Sequence, residues 1–188
     1  MRRWLAFVVL LGVASCGLPA SGKVHRIDSS TVPYGLLASR FATPSAPPTG
    51  PHAVVYLVEG HHLVARQRQI TGLNVPAEAL RSLLAGPTPA ESAHGLASDI
   101  PAQTHLYSLD LQGTVATVDL SATFGAAGGS QQVLAVAQIV YTATASRYID
   151  AVRFVLNGRP IEVPNGTGSL APGPRTRADF QRESPESS

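Results

Sequence analysis

The side chains able to do chemistry are few and scattered. His61, His62, His94 and His105 are the residues that could ligate a metal. A zinc site needs three or four ligands converging on a tetrahedron. His61 and His62 are adjacent, and neighbours on a strand face opposite sides, so these two do not readily share one ion. All four read as surface or turn residues. Serine, histidine and aspartate suffice on paper for a triad, but no Gly-x-Ser-x-Gly elbow occurs. Asp99 and Asp119 are the candidate carboxylates, and an acid–base pair would need a fixed separation between them. Asp119, between Val118 and Leu120, reads as a loop organiser or exposed strand residue. Gly125-Ala126-Ala127-Gly128-Gly129-Ser130 ahead of a helix offers free N–H groups to an anion. It lacks the lysine and spacing of a Walker loop and reads as a strand-to-helix connection. Tyr56, Tyr107 and Tyr141 read as strand or helix core rather than as a sugar platform. These residues assign no catalytic group, no metal site and no cofactor, so the expectation is a protein that is not an enzyme. A small hydrolase acting on wall material is the alternative.

Cys16 has a more definite chemistry. It is the single cysteine of the chain, and it follows Val13-Ala14-Ser15. Arg2 and Arg3 precede an apolar run from Trp4 to Val13. A basic start, a short apolar stretch and small residues before a cut site make a secretory signal peptide. The run is about half the 20 apolar residues a transmembrane anchor needs. Val13-Ala14-Ser15-Cys16 resembles the lipobox of bacterial lipoproteins. The resemblance implies cleavage before Cys16, a diacylglycerol on its thiol with acyl chains such as palmitate, and a protein anchored by lipid on the extracytoplasmic face of the cell membrane.

Charge then bounds the partners. The chain has 14 Lys+Arg and 12 Asp+Glu. Removing residues 1–15 takes Arg2 and Arg3 away and leaves the remainder neutral, with no electrostatic reason to bind nucleic acid or anionic lipid. With Cys16 acylated, no disulfide or thiolate metal site can form within the chain.

The elements follow from periodicity. Residues 16–51 read as the lipidated cysteine and a tether, because 43–51 is rich in proline and small residues that keep a linker extended. Within it Val32-Pro33-Tyr34-Gly35-Leu36-Leu37 is more apolar and is expected to dock on the domain. Residues 52–164 form the folded unit, and 165–188, with Gly-Thr-Gly, Pro-Gly-Pro and terminal serines, read as a disordered tail. Residues 53–58 are a buried strand and 62–68 its partner. Residues 76–85 form a helix, with Leu80, Leu83 and Leu84 on one face and Gly86-Pro87 as its stop. A loop spans 86–101. Strands at 104–110 and 114–121 flank Gln112-Gly113, with Ala116, Val118 and Leu120 sharing a face. Ser130 caps a helix whose stripe is Val133, Val136, Ala137, Val140, Tyr141 and Thr144. Residues 151–156 and 160–163 make a hairpin around Asn157-Gly158. The expected fold class is α+β, in the order ββαββαββ, with two helices packed on one face of a mixed β-sheet.

Several segments in this order resemble the GerMN domain, a module of spore germination and sporulation proteins that is common in bacterial lipoproteins. They are Leu83-Leu84-Ala85-Gly86-Pro87, Gly95-Leu96-Ala97-Ser98-Asp99-Ile100-Pro101, the run Gly113 to Ser121 with Phe124, Ala137-Gln138-Ile139-Val140-Tyr141-Thr142, and Val152-Arg153-Phe154-Val155-Leu156-Asn157-Gly158. The resemblance implies a non-catalytic extracytoplasmic module that binds a ligand or assembles with an envelope protein or peptidoglycan. Assembly into a homo-oligomer through a sheet edge is a further expectation.

Overall fold

The computed structural model describes residues 50–185. The expected signal sequence, Cys16 and the expected tether up to residue 49 therefore lie outside the described residues. The chain opens with a hairpin of β1 (His52–Glu59) and β2 (His62–Gln69). Its tight turn is made by Gly60 and His61, and Gly60 takes the φ of 63° that a side chain would resist. Leu57 and Val58 and their neighbours bury β1 on both faces, as the unbroken apolar run requires. Helix α1 (Val75–Leu84) starts where the Asn74 side chain accepts the Ala77 N–H at 3.2 Å. Ala77, Leu80 and Leu83 form its inner face. It stops at Gly86, whose φ is 79° and whose N–H donates to the Leu83 carbonyl at 2.9 Å.

A short helix, α2 (Pro89–Ala93), follows inside the stretch expected to be loop. Thr88 and Glu91 make a capping box: the Thr88 hydroxyl accepts the Glu91 N–H at 3.3 Å, and Glu91 Oε2 accepts the Thr88 N–H at 2.7 Å. Strand β3 (Leu106–Gln112) then pairs antiparallel with β4 (Val115–Leu120). A 3₁₀ turn at Ala122–Ala126 leads into helix α3 (Gly129–Ala143). The chain crosses over to β5 (Ala151–Leu156), which lies parallel to β4. Asn157 at φ 47° and Gly158 at φ 77° turn it into β6 (Arg159–Pro160), as a type I′ turn demands. Strands β7 (Val163–Pro164) and β8 (Leu170–Ala171) and a 3₁₀ turn at Arg177–Phe180 complete the domain.

The α+β class holds, but the arrangement differs from the expected single sheet. The strands form three sheets, β1-β2, β3-β4-β5-β6 and β7-β8. The physical reason lies at the outer edge of β1. The Tyr56 N–H donates to Thr142 Oγ1 at 3.1 Å, and the Tyr56 carbonyl accepts from Gln138 Nε2 at 3.0 Å. Two side chains of α3 thus satisfy backbone groups that a neighbouring strand would otherwise have used. Helix α3 itself departs from the one-stripe expectation, since Val133 through Ala143 are all buried. A helix apolar on every side belongs inside a core, and here α1, β1 and β5 surround it. Its start also differs: Gly128 is the N-cap, and no side chain caps it.

The segment from 165 to 185, expected to be disordered, packs on the domain. Phe180 is fully buried, and Arg175 is buried with it. Arg175 exchanges two backbone hydrogen bonds of 2.8 Å with Val152 of β5, and its guanidinium donates to the Val163 carbonyl at 2.7 Å. Arg177 donates to the Tyr141 carbonyl at 3.0 Å and to Thr144 Oγ1 at 2.8 Å. It also lies 4.9 Å from the Tyr141 ring centroid and 5.5 Å from that of Tyr56. A cation at the C-terminus of α3 is placed where the helix dipole favours it. A few long-range anchors therefore order a segment whose composition resists local structure.

Candidate binding surface

The start of β1, the residues leading into α1, the outer half of β3 and the α3–β5 connection enclose a groove of about 640 Å³. The Asn74 cap and Pro76 fix where α1 begins, which turns Leu73 and Val75 outward. Leu109 and Leu111, two apart on β3, present one face to the groove. Tyr148 and Ile149 close the far side after α3 has ended. Among the described residues the exposed large apolar side chains are Leu73, Val75, Tyr107, Leu111, Tyr148 and Leu170, and four of these six line this groove. No Asp, Glu, Lys or Arg does so; its polar groups are His52, Asn74, Thr142 and Ser146. Arg147 stands just outside, 4.8 Å from the Tyr148 ring centroid. A concave, charge-free surface that keeps large apolar groups in water is the signature of an interaction site.

Of the residues singled out for chemistry, the fold brings His61 near Asp99 and leaves the others apart. Among the described residues no three His, Cys, Asp or Glu side chains come together as a metal site would need. His61 lies in the β1–β2 turn and His62 begins β2. His94 turns its ring Nδ1 to the Ala90 carbonyl at 2.6 Å, at the end of α2. The His105 N–H donates to Ser121 Oγ at 3.0 Å. Burial pushes the Asp99 carboxyl above its ordinary range, and His61 draws it part of the way back. The Asp99 backbone is held by α3: its N–H donates to Gln138 Oε1 at 2.9 Å, and its carbonyl accepts from Gln131 Nε2 at 3.1 Å. Asp119 organises a turn, since both of its carboxylate oxygens accept the Gly158 N–H at 3.1 Å. Gly125 and Ala126 belong to the 3₁₀ turn, and Gly129 opens α3 at φ 58°.

Tyr56 and Tyr141 are core residues, their rings 5.3 Å apart edge to face. Tyr107 is not: it is 59 % exposed. The β3–β4 register shifts between Leu106 and Ser108, so Tyr107 sits at a bulge that turns it out of the pairing. Leu73, Val75, Leu111 and Tyr148, which form the groove, carry no sequence pattern of their own. Two of them precede or open a helix and one lies in a turn, so only the assembled fold brings them together.

Residues 46–162 match the family model described as Germane: Sporulation and spore germination. The chain belongs to the Germane family. No curated protein matches it. Among solved structures, the tandem GerMN domains of the sporulation protein GerM from Bacillus subtilis are similar at 22% identity and a TM-score of 0.57. That similarity covers 69% of this chain and 47% of that one, so the chain matches about half the length of the tandem structure. The first GerMN domain of the same protein is 21% identical with a TM-score of 0.55, covering 68% of this chain and 98% of that one.

The Germane segments have local physical roles here. Gly86 ends α1, and Ala97 forms an isolated bridge to Val58 through bonds of 2.9 and 2.8 Å. Phe124 and Phe154 stack at 5.9 Å in the core. Asp119 and Asn157-Gly158, far apart in sequence, are one unit, a carboxylate holding a turn. Segments 84–87 and 96–100 also meet along a second, more polar cleft of about 860 Å³, with His105 at its wall.

Proposed function

We propose that this Germane protein is a lipid-anchored component of the bacterial envelope whose domain is a non-catalytic binding or assembly module. Cys16 carries the lipid, residues 17–51 tether the domain on the extracytoplasmic side, and the charge-free groove is the surface through which the domain engages its partner. The groove is the observation that supports the reading, because solvent-exposed Leu73, Leu111 and Tyr148 have a use only when covered. An envelope protein fits it better than peptidoglycan does, since the groove offers no charge to the ammonium and carboxylate groups of wall peptides. The likeness to GerM structures supports the fold on which this module is built.

The test combines anchoring and contact. Cys16→Ser is expected to move the protein from the membrane to the soluble fraction, and a photocrosslinker at Leu111 in intact cells is expected to trap a defined envelope protein. That protein, once purified, should bind the mature chain and lose affinity at least tenfold with Leu111→Asp. Membrane retention of Cys16→Ser would remove the lipid anchor. Turnover of wall fragments abolished by His61→Ala would replace the binding module with the hydrolase.

A further inference from the structure

The first turn of α3, the loop from Pro164 to Leu170 and Glu183 enclose a pocket of about 620 Å³ that shares no residue with the apolar groove. We infer that this pocket binds a ligand carrying both an ammonium and a carboxylate, the two groups of a free amino acid or of a short peptide. The inference is independent of the groove and its partner.

The ammonium end is set by Glu183. This residue lines the pocket, is 9 % exposed, and has a carboxylate oxygen, Oε2, with no hydrogen-bond partner among the described residues. A carboxylate removed from water with nothing to pair it is costly, and an ammonium brings both the opposite charge and the missing donors. No Lys or Arg lines the pocket to do this from within the chain, and His61 is the other titratable residue of its wall. A metal ion fits less well, since a hard cation takes six or more oxygen ligands and no three acidic, His or Cys side chains converge among the described residues. Gly166 faces the same carboxylate: a Cβ there would lie 2.8 Å from Glu183 Oε2, so the bare backbone leaves the group its room.

The carboxylate end is set by α3. Gly129 and Ser130 open this 15-residue helix and line the pocket. Gly128, the N-cap, has no side chain to accept their N–H groups, and no other described residue accepts them. Unclaimed N–H groups at the positive end of a long helix favour an anion, the chemistry that the glycine-rich run before α3 offers in the sequence. Between the two ends the wall is apolar, with Leu134 buried and Leu170 60 % exposed on the rim, where a ligand's hydrocarbon can cover it. The two ends also select against each other's single-charge ligands. A plain anion meets Glu183, a plain cation meets the helix dipole, and only a ligand with both charges satisfies both.

Amide spectra of the mature Cys16→Ser chain, titrated with small probes to about 10 mM, test each end. Alanyl-alanine, glycine and ε-aminocaproate carry both charges, whereas hexylamine and caproate carry one each. The tightest of the first three is expected to shift the Ser130 and Thr167 amides saturably and to bind at least tenfold more tightly than hexylamine or caproate. Preference for alanyl-alanine points to a peptide and preference for glycine to a free amino acid, and either supports the site. Glu183→Gln keeps the shape and removes the charge. It should weaken the doubly charged probe at least tenfold while the melting temperature stays level or rises, which loss of a structural carboxylate would not allow. Gln132→Glu adds a carboxylate to the pocket wall in the first turn of α3, where the helix dipole tolerates it. It should weaken the doubly charged probe and spare hexylamine. Absence of a saturable shift with all three doubly charged probes, or equal affinities for the parent and Glu183→Gln, would overturn the proposal. Hexylamine binding as tightly as the best of the three would overturn the two-ended ligand.

Discussion

Phe180→Ala removes a fully buried ring from a segment rich in Gly, Pro and Ser. If 165–185 is part of the folded unit, the loss is that of a core aromatic, about 3–5 kcal/mol. Domains are stable by only about 5–15 kcal/mol, so this is a large share of the total. At about 3–5 °C per kcal/mol for a domain of this size, the melting temperature falls by roughly 9–25 °C. Leu170→Ala is the matched control, since Leu170 lies in the same segment but is 60 % exposed and should change stability by no more than about 0.5 kcal/mol. Urea unfolding of the soluble Cys16→Ser protein reads both variants, with an m-value for Phe180→Ala like that of the parent. Should Phe180→Ala not fold, Phe180→Leu gives the same comparison at smaller amplitude. Equal midpoints for the Phe180 and Leu170 variants would refute the reasoning and return 165–185 to the status of an appendage.

Two other perturbations separate buried from surface polar chemistry. The Arg68 guanidinium, 2.6 Å from Glu91 Oε2, holds the Glu91 carboxyl at about 2, below its ordinary 4.5, with further help from Thr88. A depressed carboxylate contributes stability above its unfolded value and loses it as pH falls from about 4.5 to about 2. Glu91→Gln should therefore cost about 1 kcal/mol at neutral pH, as loss of a cap does, and flatten that acid limb in a pH series of melts. Gln138→Leu strands the buried Tyr56 carbonyl, at about 1–3 kcal/mol, frees the half-buried Asp99 N–H at smaller cost, and should speed amide exchange of Asp99.

Local rules carried much of the fold. The two long hairpins, α1 with its glycine stop and the Asn157-Gly158 turn were legible, because each rests on period or turn chemistry within a few residues. Helix α2 was signalled by Thr88-x-x-Glu91, but the surrounding proline and glycine masked it. The tail was illegible for a different reason. Arg175, Arg177 and Phe180 find their partners at Val152, Tyr141 and inside the core, and no local pattern encodes contacts more than twenty residues away. The division into three sheets was hidden likewise, since Gln138 and Thr142 look like polar interruptions of an apolar helix until Tyr56 lies beside them. The groove was least legible of all, being built from side chains that break the pattern of their own elements.

The bonding of Tyr56 also bears on how the domain can move. Gln138 and Thr142 stand four apart, one turn of α3, and they grip the carbonyl and the N–H of a single strand residue. A helix that slides along its strand by one turn would break both hydrogen bonds, and since the two residues stand one turn apart only one of them could be replaced, leaving a Tyr56 backbone group unpaired in a dry interior. The helix is keyed to the strand like a bolt with two wards. Any change of state in this domain is therefore expected to keep the register of α3 on β1 intact.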